Sequence, residues 1–438
     1  MTNRRGPNYR LRALLSEAGW TQEALARAVN ALGTEIGAAL RYDRTAVAHW
    51  LAGTQPRHPV PQLAAEALSR RIGRSVAPEA AGFPSYARDA PPADPVAGFT
   101  ALCRADADAG RRVPLHQRPY RVADTVVPRP PEARSPERPL GGRTEGTTAL
   151  HDAVEFFAAS IDPHGGRHAR SALSAYLADD VSPLLTAAPQ GRGRGELLVV
   201  ASRLAFLLAR MYEDGLLHGV AQRYYTYAHR LAGESGDRVA WSVVVRAMSA
   251  QAQRLGHLPS ALQLAEAAQR GTRGAPGAHQ AYIQAQLAVV LALSGDRRGA
   301  LAAVAQAERA AERATGGTAP FDSYPQAALH FQISAVLEAL GDLPGALAAL
   351  RRAAGERAAA DVRGRALTQA RFGQLLLRTG HLDEACAAWE VFLAAQERLR
   401  SGDAERALRD MRQALQPYRN RKRVAELLAR TVRTAHGR

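Results

Sequence analysis

The chain is 438 residues long and 46% hydrophobic, but only 6% aromatic, with a formal net charge of +16. That length predicts two or three domains rather than one core, and the hydrophobic fraction excludes a wholly disordered chain. Few aromatics beside abundant Ala, Leu and Arg point to helices packed on small residues and away from a β-sandwich.

The charge is unevenly placed. Residues 1–76 carry +6 and residues 411–438 carry +7, whereas 77–146 and 147–410 carry only +1 and +2. This predicts a head that meets a polyanion, a nearly neutral body and a basic tail. Lys422 is the only lysine, so arginine identity by itself says little about function. Cys103 and Cys386 belong to no ligand-spaced pair, which predicts neither a disulfide framework nor a metal site and fits a reducing cytoplasm. The first residues lack an apolar run and no stretch of about 20 apolar residues occurs, so neither a signal peptide nor a membrane span is expected.

Residues 8–32 read as two helices. Leu11, Leu14 and Leu15 share one face, Ala18-Gly19 ends the first helix, and Thr21 caps a second that carries Leu25, Ala28 and Val29. Asp43 caps a short third helix over 43–52 with Val47, Trp50 and Leu51 on its core face, and Gly53 stops it. Pro59 and Pro61 lead into a fourth helix bearing Leu63, Ala67, Leu68 and Ile72. The string Thr21-Gln-Glu-Ala-Leu-Ala, followed by Tyr42-Asp-Arg-Thr-Ala-Val-Ala-His-Trp-Leu-Ala-Gly and Pro56, resembles a lambda-repressor-like helix-turn-helix domain.

That resemblance implies double-stranded DNA as partner, with the third helix in the major groove. Arg44, Thr45, Ala48 and His49 then face outwards to base edges, and Gln22 anchors a phosphate at the start of the second helix. Arg41, Arg57 and His58 flank the reading helix as further phosphate contacts. Trp50 is expected in the core. Residues 31–41 exceed the usual turn between second and third helices, and form either a helix extension or a flap.

Residues 77–146 lose periodicity and hold Pro-rich stretches such as Pro128-Arg-Pro-Pro, which predicts a mobile linker. From 147 to 416 helical periodicity returns. Gly256, Gly295, Gly341 and Gly380, spaced by 39, 46 and 39 residues, each follow an apolar helix, with Ala261, Ala300, Ala346 and Ala385 five residues on. Glycine accepts a left-handed cap and a small alanine lets the next helix cross closely, so each unit predicts a helical hairpin. The pattern resembles the tetratricopeptide repeat, with a degenerate earlier unit near Asp214-Gly215. The expected fold is therefore all-α: a helix-turn-helix head (1–76), a Pro-rich linker (77–146), a helical solenoid (147–416) and a basic helix or cap (417–438).

This arrangement resembles peptide-sensing regulators of Gram-positive bacteria and, more closely, actinobacterial developmental and antibiotic regulators. The resemblance implies a homodimeric transcription regulator whose solenoid groove takes a peptide or protein. Tyr282, Gln286, Gln332, Gln369 and Gln374 are the groove candidates, although any one of them reads more readily as part of a solvated helix face. The tail either touches DNA flanks or caps the solenoid. The alternative reading is an interaction scaffold whose head docks a protein. Gly191-Arg-Gly-Arg-Gly follows no strand, His164 and His168 lack spaced ligand partners, and no nucleophile elbow or phosphate loop is present. No enzyme activity, catalytic residue, cofactor or metal is expected.

Overall fold

Three short polar side chains start the first three helices. Asn8, Thr21 and Asp43 each accept a hydrogen bond from a backbone N–H in the first turn of α1 (Tyr9–Ala18), α2 (Gln22–Glu35) and α3 (Arg44–Leu51). With α4 (Val60–Ile72) they enclose a core of Leu11, Leu25, Val29, Val47, Trp50, Leu63 and Leu68. The computed structural model describes residues 6–84, 92–132, 145–188, 192–314 and 321–436, and its regular elements there are helices.

The head runs past the expected boundary at 76. Val76, Ala81 and Phe83 belong to its core, Phe83 packs edge-on to Trp50, and the Asn8 amide donates to the Ala81 carbonyl. A Pro-punctuated stretch closes the domain here because its few apolar side chains find an aromatic to cover.

The expected mobile linker is corrected in its described part. It holds α5 (Pro95–Ala107) and α6 (Ala109–His116), and Phe99, Leu102, Cys103 and Leu115 are buried in the main core of the body. Asp106, fully buried, accepts hydrogen bonds from the hydroxyls of Tyr212 (2.6 Å), Tyr224 (2.8 Å) and Ser174 (3.0 Å), and lies 3.1 Å from Nε2 of His116. A charge that looks solvated in the sequence is in fact an internal anchor. Residues 85–91 and 133–144 of this stretch lie outside the described residues.

The body starts with α7 (Glu145–His164), α8 (Arg170–Tyr176) and α9 (Ser182–Ala187). Five hairpins follow. They are α10 (Arg192–Asp214) with α11 (His218–Ser235), α12 (Arg238–Arg254) with α13 (Leu258–Gly271) and α14 (Gly277–Leu293) with α15 (Arg297–Glu312). The last two are α16 (Gln326–Ala339) with α17 (Leu343–Glu356) and α18 (Val362–Arg378) with α19 (Leu382–Gln396). Gly256, Gly295, Gly341 and Gly380 have φ between 83° and 87°, and all four following alanines are fully buried. In the degenerate first unit Leu216, not Gly215, takes the left-handed position at φ 66°, and Ala221 is the buried alanine five residues on.

The ends of the body meet. Asp214 on α10 pairs with Arg363 on α18 at 2.6 Å, and Arg254 on α12 pairs with Asp403 of α20 (Gly402–Leu415) at 3.0 Å. The amide of Arg400 donates to the His164 carbonyl, which ties the end of α7 to the start of α20. Last, α21 (Lys422–His436) lays Val424 and Leu427 into the core formed by Trp389 and Phe392 of α19, and Arg423 pairs with Glu390.

Candidate nucleic-acid interface

The short α3 is amphipathic by position. Val47, Trp50 and Leu51 are buried, whereas Arg44, Thr45, Ala48 and His49 are exposed with the whole chain in place. Trp50 is only 3% exposed and meets Tyr42 edge-on, so it serves as core. Arg41, Arg57 and His58 are exposed at the two flanks of α3, and Gln22 is half-buried in the first turn of α2. The exposed α3 stripe presents a guanidinium, a hydroxyl, a methyl group and an imidazole, a donor-rich set able to meet base edges.

The arginines of the head divide into two groups. Arg70 pairs with Glu35 and Glu66, Arg71 donates to the Ala18 carbonyl, Arg74 pairs with Glu17 and Arg10 donates to the Glu79 carbonyl. Arg12, Arg27, Arg41, Arg44 and Arg57 are exposed and carry no such bond among the described residues. The positive charge left for a partner thus includes the flanks of α3. Arg12 and Arg27, on α1 and α2, were not singled out from the sequence, because nothing local distinguishes a committed arginine from an uncommitted one.

The insert resolves into both of its expected forms. Residues 31–35 extend α2, and 36–43 return to α3. Gly33 permits this return, since a Cβ there would lie 2.7 Å from Leu40 and 2.9 Å from the Ala38 carbonyl. Asn30 then brackets Tyr42: its amide nitrogen donates to the Tyr42 carbonyl and its amide oxygen accepts from the Tyr42 N–H, both at 2.8 Å. The ends of the insert are therefore held together directly before the α3 cap.

The head is seated on the body on its α4 side. Glu66 is buried against His257, at the α12–α13 turn, with Nε2 to oxygen at 2.7 Å. Tyr120 stacks on the His257 ring at 5.5 Å, and Gln222 on α11 brackets the backbone of Arg121. This leaves the α3 face clear of the body.

Of the groove candidates, Tyr282 and Gln332 line a cavity inside the body. Gln286 is buried, its amide donating to Ser249 at 3.5 Å, so burial between helices removes it from any groove. Gln369 is half-buried, and Gln374 is half-buried and accepts from Arg371; neither lines that cavity. The rings of His164 and His168 lie 4.3 Å apart, tilted by 35°, and no group of three metal-ligating side chains occurs among the described residues. Among these residues, too, no helix is long and apolar enough to cross a membrane.

Fold and surface together define an all-α protein, a small helical head on a closed helical-repeat body. Residues 11–84 match the family model of the SP15 N-terminal domain, whose end coincides with the Phe83 edge of the head core. Among solved structures, BtubC (BKLC) from P. vanneervenii is 16% identical, with a TM-score of 0.34 over 59% of this chain and 92% of that one. No curated protein matches the chain.

Proposed function

We propose that the chain is a sequence-specific transcription regulator that reads double-stranded DNA with α3 of a lambda-repressor-like head. One observation carries this reading: Arg44, Thr45, Ala48 and His49 stay exposed although the head is docked on the body. In this geometry the N-terminal half of α3 enters the major groove, with Arg44 bidentate to a guanine and Thr45 against a base edge or thymine methyl. Gln22, Arg41, Arg57 and His58 take phosphates around it. The protein acts as a cytoplasmic homodimer on a two-fold site. Its body modulates it through a peptide or protein partner or through dimerisation, and the buried Glu66–His257 seat offers the route by which the body reaches the head.

A salt-titrated binding assay on the full chain tests this reading. Selection from a random duplex pool is expected to yield a motif, and Arg44→Ala with Thr45→Ala to abolish preference for it. If no duplex is bound even at low salt, the reading fails. Binding without preference, with a steep salt slope, also overturns it, since that is the signature of charge alone.

A further inference from the structure

Closure of the body leaves a cavity of about 670 Å³ inside the ring of hairpins, within the range of sites for small organic molecules. Its wall comes mainly from α7, α10, α12, α14, α16 and α18, joined by Tyr225 of α11, Asp403 of α20 and residues of the 321–325 segment. Most of its charges are spent on one another. Asp214 holds Arg363, Asp403 holds both Arg254 and Arg363, and Asp361 holds Arg357. Glu213 accepts from the Tyr225 hydroxyl at 2.7 Å and faces Arg254.

Two guanidiniums differ. Arg246 is 8% exposed, yet no carboxylate pairs with it among the described residues. Its Nη1 donates to the Tyr282 hydroxyl at 3.2 Å, and its guanidinium lies 3.9 Å from the centre of that ring. Arg210 sits 6.0 Å from the ring of Phe206, and among the described residues no carboxylate pairs with it either. Against these two cations the cavity offers one carboxylate without an ion pair, Asp162.

Beside Arg246, Tyr282 meets Tyr324 edge-on at 5.4 Å. Among the described residues, the Tyr324 hydroxyl and Nδ1 of the buried His279 have no hydrogen-bond partner. Buried polar groups without hydrogen-bond partners, and guanidiniums without a carboxylate, cost free energy that a bound acceptor recovers.

We propose that this cavity binds a small aromatic organic anion. Its acidic group is held by Arg246 and Arg210, and its ring lies against Tyr282, Tyr324 and Phe206. The site goes beyond the DNA-reading proposal and stands whether or not the head reads DNA.

The test uses the full chain and two fluorescent probes with the same rings. These are 8-anilinonaphthalene-1-sulfonate and its uncharged counterpart N-phenyl-1-naphthylamine. The sulfonate is expected to bind one per chain, at least tenfold tighter than the neutral probe. Arg210→Gln with Arg246→Gln is expected to remove that tenfold advantage and leave the neutral probe unchanged. Ala328→Trp fills the cavity without touching its charges and is expected to abolish both, which keeps the test decisive if the double variant fails to fold. The proposal is overturned if the neutral probe binds as tightly as the sulfonate. It is equally overturned if Ala328→Trp leaves sulfonate binding intact, or if the folded wild-type chain shows no saturable binding. None of these readouts involves DNA, so they separate failure of this site from failure of the DNA-reading proposal.

Discussion

Glu66 of the head and His257 of the body face each other at 2.7 Å, both closed off from solvent, and this contact seats one domain on the other. Removing the imidazole leaves Glu66 to Arg70 and to the Val122 amide. His257→Ala is expected to cost about 1–3 kcal/mol, the usual penalty for stranding a buried polar group. Amide exchange should quicken in α4 and over residues 120–125, and stay unchanged in α16 and α17. Uniform protection across the chain would show that the pair does not anchor the head.

Arg44 and Arg57 are expected to fail in different ways. Arg44→Ala should cost about 1–3 kcal/mol on the preferred duplex and relax the preference at one base position. Arg57→Ala should weaken all duplexes alike and lower the salt slope by about one. Binding isotherms at several salt concentrations distinguish the two.

Asn30 closes the insert through two hydrogen bonds to the Tyr42 backbone. Asn30→Ala should lower stability by about 1–3 kcal/mol, each lost bond contributing about 0.5–1.5 kcal/mol. It should also weaken DNA binding, because Tyr42 directly precedes the Asp43 cap of α3. A denaturant midpoint equal to the wild type would remove the bracket from the account of how α3 is aimed.

Gly341 and Gly373 separate backbone strain from steric overlap. At Gly341 a Cβ meets nothing, yet φ is 83°, so Gly341→Ala should cost about 1–2 kcal/mol from conformation alone. At Gly373 a Cβ would lie 2.6 Å from the Trp389 ring, and Gly373→Ala should cost more by displacing that side chain. Thermal melts rank the two, and the reverse order would contradict this packing.

Acid should destabilise the protein in two stages. Burial holds His218 well below the ordinary imidazole range and His229 down to about 4. Both stay neutral in the fold but take up protons near pH 6.5 when unfolded, so stability is lost as pH falls from about 6.5 towards 4. A second loss follows below about pH 4. Burial pushes the Asp106 carboxyl up, but hydrogen bonds from His116, Tyr212 and Tyr224 outweigh this and hold it below the usual range. Its contribution is present above its unfolded pKa and disappears as it protonates in the fold. Melting temperatures between pH 7 and 5 should fall for the wild type and fall less for His218→Phe.

The repeat was legible because each unit writes a local rule: a left-handed glycine, then a buried alanine five residues on. It misled only where Leu216 takes the glycine's place, since a non-glycine residue at φ 66° leaves no mark in the sequence. The α3 stripe was legible for the same reason, as Val47, Trp50 and Leu51 set its inner face. The described part of 77–146 was misread because proline and mixed charge look alike whether solvated or packed. Asp106 makes the point, with partners up to 118 residues away.

By itself the sequence determined the helix starts at Thr21 and Asp43, the outward face of α3 and the hairpin rhythm of the body. All of these follow from neighbours three to five residues apart. Only the tertiary structure decided that Glu66 meets His257 across 191 residues and Arg254 meets Asp403 across 149, and that closure leaves Arg246 and Arg210 without carboxylate partners among the described residues. The reason is physical: a charge shows its type along the chain, but whether it is solvated, paired or stranded depends on which distant helix the packing brings against it.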